Sequence, residues 1–248
     1  MPPDQSEGKE GSYVAVRLVS GLKEVFTFKE LEEMLGIPAQ VLWRYTSHVQ
    51  FPERATAKKI IDTIESRRLL EQAVRKIVAG PPGLAEEWRL LFNPRFLNLV
   101  GYVAWRDFGS DEVDLVLAPS EKDAALAVVI ADWLGAGACA ATERAWVSWG
   151  KLYTAPYGSS ERGEVIYLHV PRGALEKDSK VLVVRGVTRN FESLHAIASI
   201  IEQARAKLAG ALIVLALGGG WAETAAKVGL GKVRVIAQVT EKGLLVSL

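Results

Sequence analysis

The sequence predicts a small all-helical domain over residues 1–79, a linker at 80–83, and an α/β domain with a mainly parallel sheet over 84–248. Three observations carry this. Up to Ala79 the apolar residues recur at helical spacing, with no convincing strand run. Gly80-Pro81-Pro82-Gly83 cannot continue a helix and makes a boundary. Beyond it, short apolar runs alternate with helical stretches. That pattern belongs to a parallel sheet covered on both faces. The runs are 113–117, 165–170, 181–184, 211–215 and 233–236, and the clearest helices between them are 124–134 and 193–208.

Composition narrows the function classes. A 248-residue chain that is 49% hydrophobic and 24% charged folds, which excludes disordered and collagen-like proteins. A single cysteine, Cys139, excludes an internal disulfide, and three histidines argue against a zinc site. No metal is therefore expected. The first residues lack the basic and apolar stretch of a signal peptide. The most apolar segment, 124–141, contains Asp132 and reads as a buried helix. These features imply a cytoplasmic protein that does not engage a membrane. Sparse Cys, Met and Asn point to a thermophile.

In the first domain, the informative segment runs from Phe28 to Tyr45. Thr27 can cap a helix, with Glu30 completing a capping box. Leu31, Met34 and Leu35 form the apolar stripe of that helix. Gly36 supplies a left-handed turn, Ile37 anchors it, and Pro38 suits the first turn of the next helix. The second helix buries some combination of Val41, Leu42 and Tyr45, leaving Ala39, Gln40, Trp43, Arg44 and Ser47 on its other face. On these residues the segment resembles the helix-turn-helix of the lambda-repressor-like class, with 51–57 as the start of the following helix. Glu32 departs from that pattern, because a small residue usually stands where the two helices cross.

The resemblance implies that helix 38–47 enters the major groove of double-stranded DNA. Ala39, Gln40, Trp43, Arg44 and Ser47 are then the DNA-facing residues, Gln40 and Arg44 meeting base edges and Ser47 a phosphate. Residues 44–76 carry eight basic and four acidic side chains, whereas the whole domain is nearly neutral. The alternative is a protein-interaction module with Trp43 as its anchor. Lys58-Lys59 and Arg67-Arg68 read as solvated helix faces.

In the second domain, Lys180–Leu194 has the layout strand, tight loop, helix. A helix start after a strand attracts phosphate. The segment resembles the diphosphate-sugar motif of type I phosphoribosyltransferases, and the whole arrangement is orotate-phosphoribosyltransferase-like with that motif degenerate. In that family two adjacent acids follow the strand and grip the ribose hydroxyls. Here Arg185 and Gly186 hold those positions, and Arg189 to Ser193 hold those of the phosphate loop. Arginine offers no acceptor and glycine no side chain, so the expectation is no catalytic residue and a transferase chemistry lost or heavily impaired. Arg185, Arg189, Asn190 and Ser193 remain as candidates for an anionic ligand, against a relic loop that binds nothing. The resemblance also makes 118–123 a pyrophosphate loop and 149–163 a mobile loop, with Trp146 and Trp149 beside it.

Other features read as structure. Gly218-Gly219-Gly220 lacks the ending of a P-loop and reads as a tight turn. His48, His169 and His195 have no nucleophile motif beside them, and Cys139 reads as a small buried residue. Together the halves resemble archaeal regulators that fuse a helix-turn-helix to a phosphoribosyltransferase-like domain. This implies a homodimeric transcriptional regulator of nucleotide metabolism with no cofactor and a nucleotide or sugar-phosphate effector. The alternatives are an atypical phosphoribosyltransferase, which alone would need Mg²⁺, and an interaction protein without either activity.

Overall fold

The computed structural model describes residues 4–78, 87–145 and 150–248. The 80–83 linker, Trp146 and Trp149 lie outside the described residues. Five helices come first: α1 (Asp4–Leu22), α2 (Phe28–Leu35), α3 (Ala39–Thr46), α4 (Arg54–Ser66) and α5 (Leu69–Val78). The capping box forms as the sequence predicts. Thr27 Oγ1 accepts the Glu30 amide, and the Glu30 carboxylate accepts the Thr27 amide at 2.6 Å. Gly36 adopts φ 64°, the left-handed value that ends α2. Leu31, Leu35, Ile37, Leu42 and Tyr45 are buried together with Ile60 and Ile64 of α4.

The α/β part opens with a short helix, α6 (Glu87–Leu91), and α7 (Pro94–Phe108), which starts on an Asn93 cap with proline at its first position. Then come β1 (Leu115–Ala118), α8 (Ala124–Leu134), β2 (Gly137–Ala140), β3 (Leu152–Ser159) and β4 (Glu164–Pro171). The chain ends with β5 (Lys180–Thr188), α9 (Ser193–Gln203), β6 (Lys207–Leu217), α10 (Gly220–Lys227), β7 (Val233–Thr240) and β8 (Gly243–Val246). Six strands form one sheet in the order β2-β1-β5-β6-β7-β8, parallel except for β8.

Alternation along the central strands explains why apolar runs were needed. Leu182 and Val184 of β5 and Leu212 and Val214 of β6 join one core with α7 and α8. Val181, Val183, Ala211 and Ile213 point to the opposite core, which α9 covers. The fold class is thus the predicted one: a helical region, then an α/β part with a mainly parallel sheet.

Several local expectations change, the first being that the stretch 124–141, expected as one buried helix, is α8 only to Leu134 and then edge strand β2, where Cys139 is half-buried rather than buried. The run 165–170 is not in the parallel sheet; β4 pairs antiparallel with β3 in a separate hairpin. Ile166 and Leu168 are buried beneath it, whereas Val165 and Tyr167 face solvent. An unbroken apolar run therefore hid a one-sided strand. Within the stretch assigned to a mobile loop, residues 152–159 are strand β3. The helix expected over 193–208 stops at Gln203, because Arg205 turns left-handed (φ 57°) and β6 begins at Lys207. Among the described residues, no helix is long and apolar enough to cross a membrane.

Candidate functional site

The carboxyl end of β5 is where the chemistry of the second domain gathers. Asp123, which ends a short helical turn just before α8, is fully buried. Its side chain does not cap α8. It turns instead to β5, where Oδ2 meets Arg185 Nη1 at 2.8 Å and Oδ1 accepts the Gly186 amide at 3.0 Å. A Cβ on Gly186 would stand 2.7 Å from Asp123 Oδ1 and closer still to Leu91 Cδ2. Position 186 therefore has to be glycine, and the space a side chain would use belongs to α6 and Asp123.

Electrostatics at this point are set by burial. Desolvation pushes the Asp123 carboxyl above its ordinary pKa, against the pull of Arg185 and the Gly186 amide. Glu87 on α6 is likewise raised by burial, with Arg185 and Lys122 opposing. The Tyr157 hydroxyl is raised by burial and by Glu143, again with Arg185 opposing. Arg185 is the shared cation of the cluster, and its buried Nε has no hydrogen-bond partner among the described residues. An unpaired buried donor is uncommon and calls for a reason.

The loop after β5 is occupied by its own side chains. Phe191 adopts φ 55° and is 3% exposed, with its ring in the core under α9. The Phe191 amide donates to Thr188 Oγ1 at 2.9 Å. Glu192 Oε2 accepts the Ser160 amide at 3.0 Å, tying the loop to the turn of the β3–β4 hairpin. The Asn190 carbonyl accepts Thr224 Oγ1 at 2.6 Å, and a Cβ on Gly220 would run into the Asn190 side chain. That contact accounts for one of the three consecutive glycines by close packing. Ser193 is buried at the first position of α9. Arg189 is exposed and makes no ion pair among the described residues. Of the four predicted ligand residues only Arg189 and Asn190 lie in the loop; Arg185 belongs to β5 and is engaged with Asp123, the Asn190 carbonyl is engaged by Thr224, and Ser193 is covered at the start of α9.

In the helical region, Gln40, Trp43, Arg44 and Ser47 are exposed on one side of α3, and Ala39 is half-buried. Trp43 is 50% exposed, a large apolar surface on a short helix. Glu32 does not splay the helices. Its Oε2 accepts the Ala39 amide at 3.2 Å, so it satisfies the first free donor of α3. Lys58 pairs with Asp62 and Arg68 with Glu71, as solvated faces do.

Sequence reasoning missed Asp123, Leu91 and Glu87 as site residues. Asp123 lies 62 residues from its partner Arg185, beyond any local pattern. A hint was present in an acid standing directly before a helix with no charge until Asp132. Among the described residues no cluster suits a metal ion.

Comparison with known proteins separates sequence from fold. No protein-family model matches the chain, and no curated protein sequence matches it. Solved structures do resemble it. Adenine phosphoribosyltransferase of Giardia lamblia in complex with 9-deazaadenine is 16% identical, with a TM-score of 0.53 over 62% of this chain and 85% of that one. The Leishmania donovani adenine phosphoribosyltransferase is 15% identical, with a TM-score of 0.53 over 70% and 82%. The Trypanosoma brucei enzyme, in complex with AMP, pyrophosphate and ribose-5-phosphate, is 14% identical, with a TM-score of 0.52 over 67% and 78%. The α/β part of this chain has the type I phosphoribosyltransferase fold.

Proposed function

We propose that the protein is a DNA-binding transcriptional regulator whose α/β body has left transferase chemistry. The observation that carries the DNA-binding half is α3. One face is locked into the helical core through Leu42 and Tyr45, and the other presents Gln40, Trp43, Arg44 and Ser47 to solvent. That division is what a recognition helix requires. The non-catalytic half rests on β5. The positions that would grip ribose hydroxyls hold a cation and a glycine, and Leu91 with the Asp123–Arg185 pair fills the space above them. A sugar placed there would meet no acceptor pair and would have to displace α6.

In this reading the α/β body forms a homodimer that spaces two α3 helices. An anionic effector, a nucleotide or sugar phosphate, would use Arg189 and the unpartnered Nε of Arg185. The domain division at 80–83 belongs to the same proposal.

The test is binding of the full chain to DNA fragments from upstream of its own coding region, across a salt series. The expected result is a steep loss of affinity with salt and a further roughly 5- to 150-fold loss in Arg44→Ala, the range of about 1–3 kcal/mol for a base contact. Binding that ignores both salt and Arg44 would replace the reading with a protein-interaction module built on Trp43.

A further inference from the structure

Helix α8 touches the carboxyl end of β5 with one end and the helical region with the other. At its start, Asp123 holds Arg185 and the Gly186 amide. Its eleven residues span about 16 Å at 1.5 Å each. At its end stand Asp132 and Trp133, and both engage Arg17 of α1. The guanidinium lies 4.1 Å from the centroid of the Trp133 ring, and Nη1 meets Asp132 Oδ2 at 2.8 Å. Arg17 Nε also donates to Asn98 Oδ1 of α7 at 2.9 Å, an oxygen that Trp133 Nε1 shares at 3.3 Å.

This clasp has no slack. The Trp133 ring lies directly on Gly101 of α7, with Nε1 2.5 Å from where a Cβ would stand. Gly21 of α1 is pressed against Leu99 and the Arg95 carbonyl of the same helix. Gly21 thus brings α1 close to the α7 backbone, and Gly101 makes the seat for the Trp133 ring of α8. The α1 helix in turn packs on α3 and α4, so it is the mount of the exposed α3 face. A shift of α8 along its axis has to drag the Trp133 ring and, through Arg17, α1.

We propose that α8 couples the Asp123–Arg185 pair to the mounting of α2–α4, so that disturbing this buried pair at the end of β5 loosens α1 at the far end of the helix, about 15 Å away. An anion that claims Arg185 would release Asp123 and act through the same helix. A ligand alters DNA affinity only through such a differential effect on two arrangements. The mechanical link does not depend on DNA binding; only its regulatory meaning rests on the reading above.

The experiment is a double-mutant cycle on the full chain without DNA, read by hydrogen exchange. Sites more than about 10 Å apart with no shared partner give additive effects. Peptides covering residues 14–22 of α1 are followed in wild type, Asp123→Asn, Arg17→Ala and the double variant, each normalised to peptides of β6. With the coupling, Asp123→Asn speeds α1 exchange at least tenfold when Arg17 is present and less than twofold when it is not. Equal acceleration in both backgrounds, or none in either, overturns the proposal. If Asp123→Asn does not fold, Arg185→Lys keeps the charge, loses the planar fork, and serves in the same cycle with the same two outcomes. Absence of DNA binding with a positive cycle would remove the regulator and leave the lever. DNA binding with an additive cycle would do the reverse.

Discussion

A methyl group at position 186 would have to fit between Asp123 Oδ1 at 2.7 Å and the still closer Cδ2 of Leu91. Both neighbours are fully packed, Asp123 at 0% and Leu91 at 1% exposure, so neither can step aside into solvent. Overpacking of this kind costs roughly 1–3 kcal/mol. Gly186→Ala is therefore expected to lower the urea midpoint by that equivalent. Adding Leu91→Ala to it should cost less than the sum of the two single changes, because the second opens the space the first needs. Simple additivity would mean the strain lies elsewhere. At this scale the sequence was half legible. Arg185 and Gly186 could be read as departures from the motif the segment resembles, but the side chains packed over Gly186 come from residues 91 and 123, and nothing local announces them.

At the scale of elements, loop and hairpin meet at Ser160, whose amide Glu192 accepts and whose hydroxyl takes a longer bond from Asn190. Glu192 accepts the Ser160 amide, and its carboxyl sits below its ordinary pKa of 4.5: partial burial pushes it up, but the bonds from Ser160 and Asn190 outweigh that. A depressed acid adds stability that is present above its unfolded value and is lost as pH falls through the folded one. The latch should thus hold at pH 6 and release below about pH 4.5. Exchange of the Ser160 amide, corrected for its intrinsic rate, should rise over that interval. In Glu192→Gln the Ser160 amide should show no such step. A step of equal size in the variant would assign the titration to another group.

Which elements the sequence disclosed follows from how they are stabilised. α2 announces itself because its cap and its glycine stop are local, and 124–134 because its apolar run ends at Gly135 (φ 67°). The central strands β1, β5 and β6 show as apolar runs because both of their faces are buried. β2 reads Gly-Ala-Cys-Ala, an edge strand with little side chain to reveal it. β3 carries Pro156 and Gly158 and exists because β4 lies beside it.

Over the whole molecule, the two parts of the chain share one surface through α7. Phe96, Leu97, Val100 and Val103 of that helix face the sheet, whereas Leu99 and Tyr102 face α1 and α4. The Tyr102 hydroxyl donates to Glu65 Oε1 at 2.7 Å, and Trp133 packs into the same cluster from α8. Val74 of α5 crosses in the other direction, into the core beside the sheet, and Arg75 Nη1 donates to the Leu244 carbonyl on edge strand β8. Composition and the Gly-Pro-Pro-Gly segment predict a boundary, but they carry no information about which helix faces meet. Leu99, Tyr102 and Trp133 are each at least nine-tenths buried, and baring such side chains costs about 1.5–3 kcal/mol apiece. Losses of that size are comparable with the whole stability of a modest domain. The α/β part without the helical region is therefore expected to expose this patch, bind a hydrophobic dye and aggregate. The full chain should unfold as one unit, with tryptophan fluorescence and far-ultraviolet circular dichroism giving the same midpoint. Two resolved transitions, together with a soluble, folded fragment 84–248, would show that the surfaces meet without depending on each other. The N-terminal helices α1–α5 would then be free to reorient on the body, and the fixed spacing between two α3 helices that the proposed dimer needs could not be built on it.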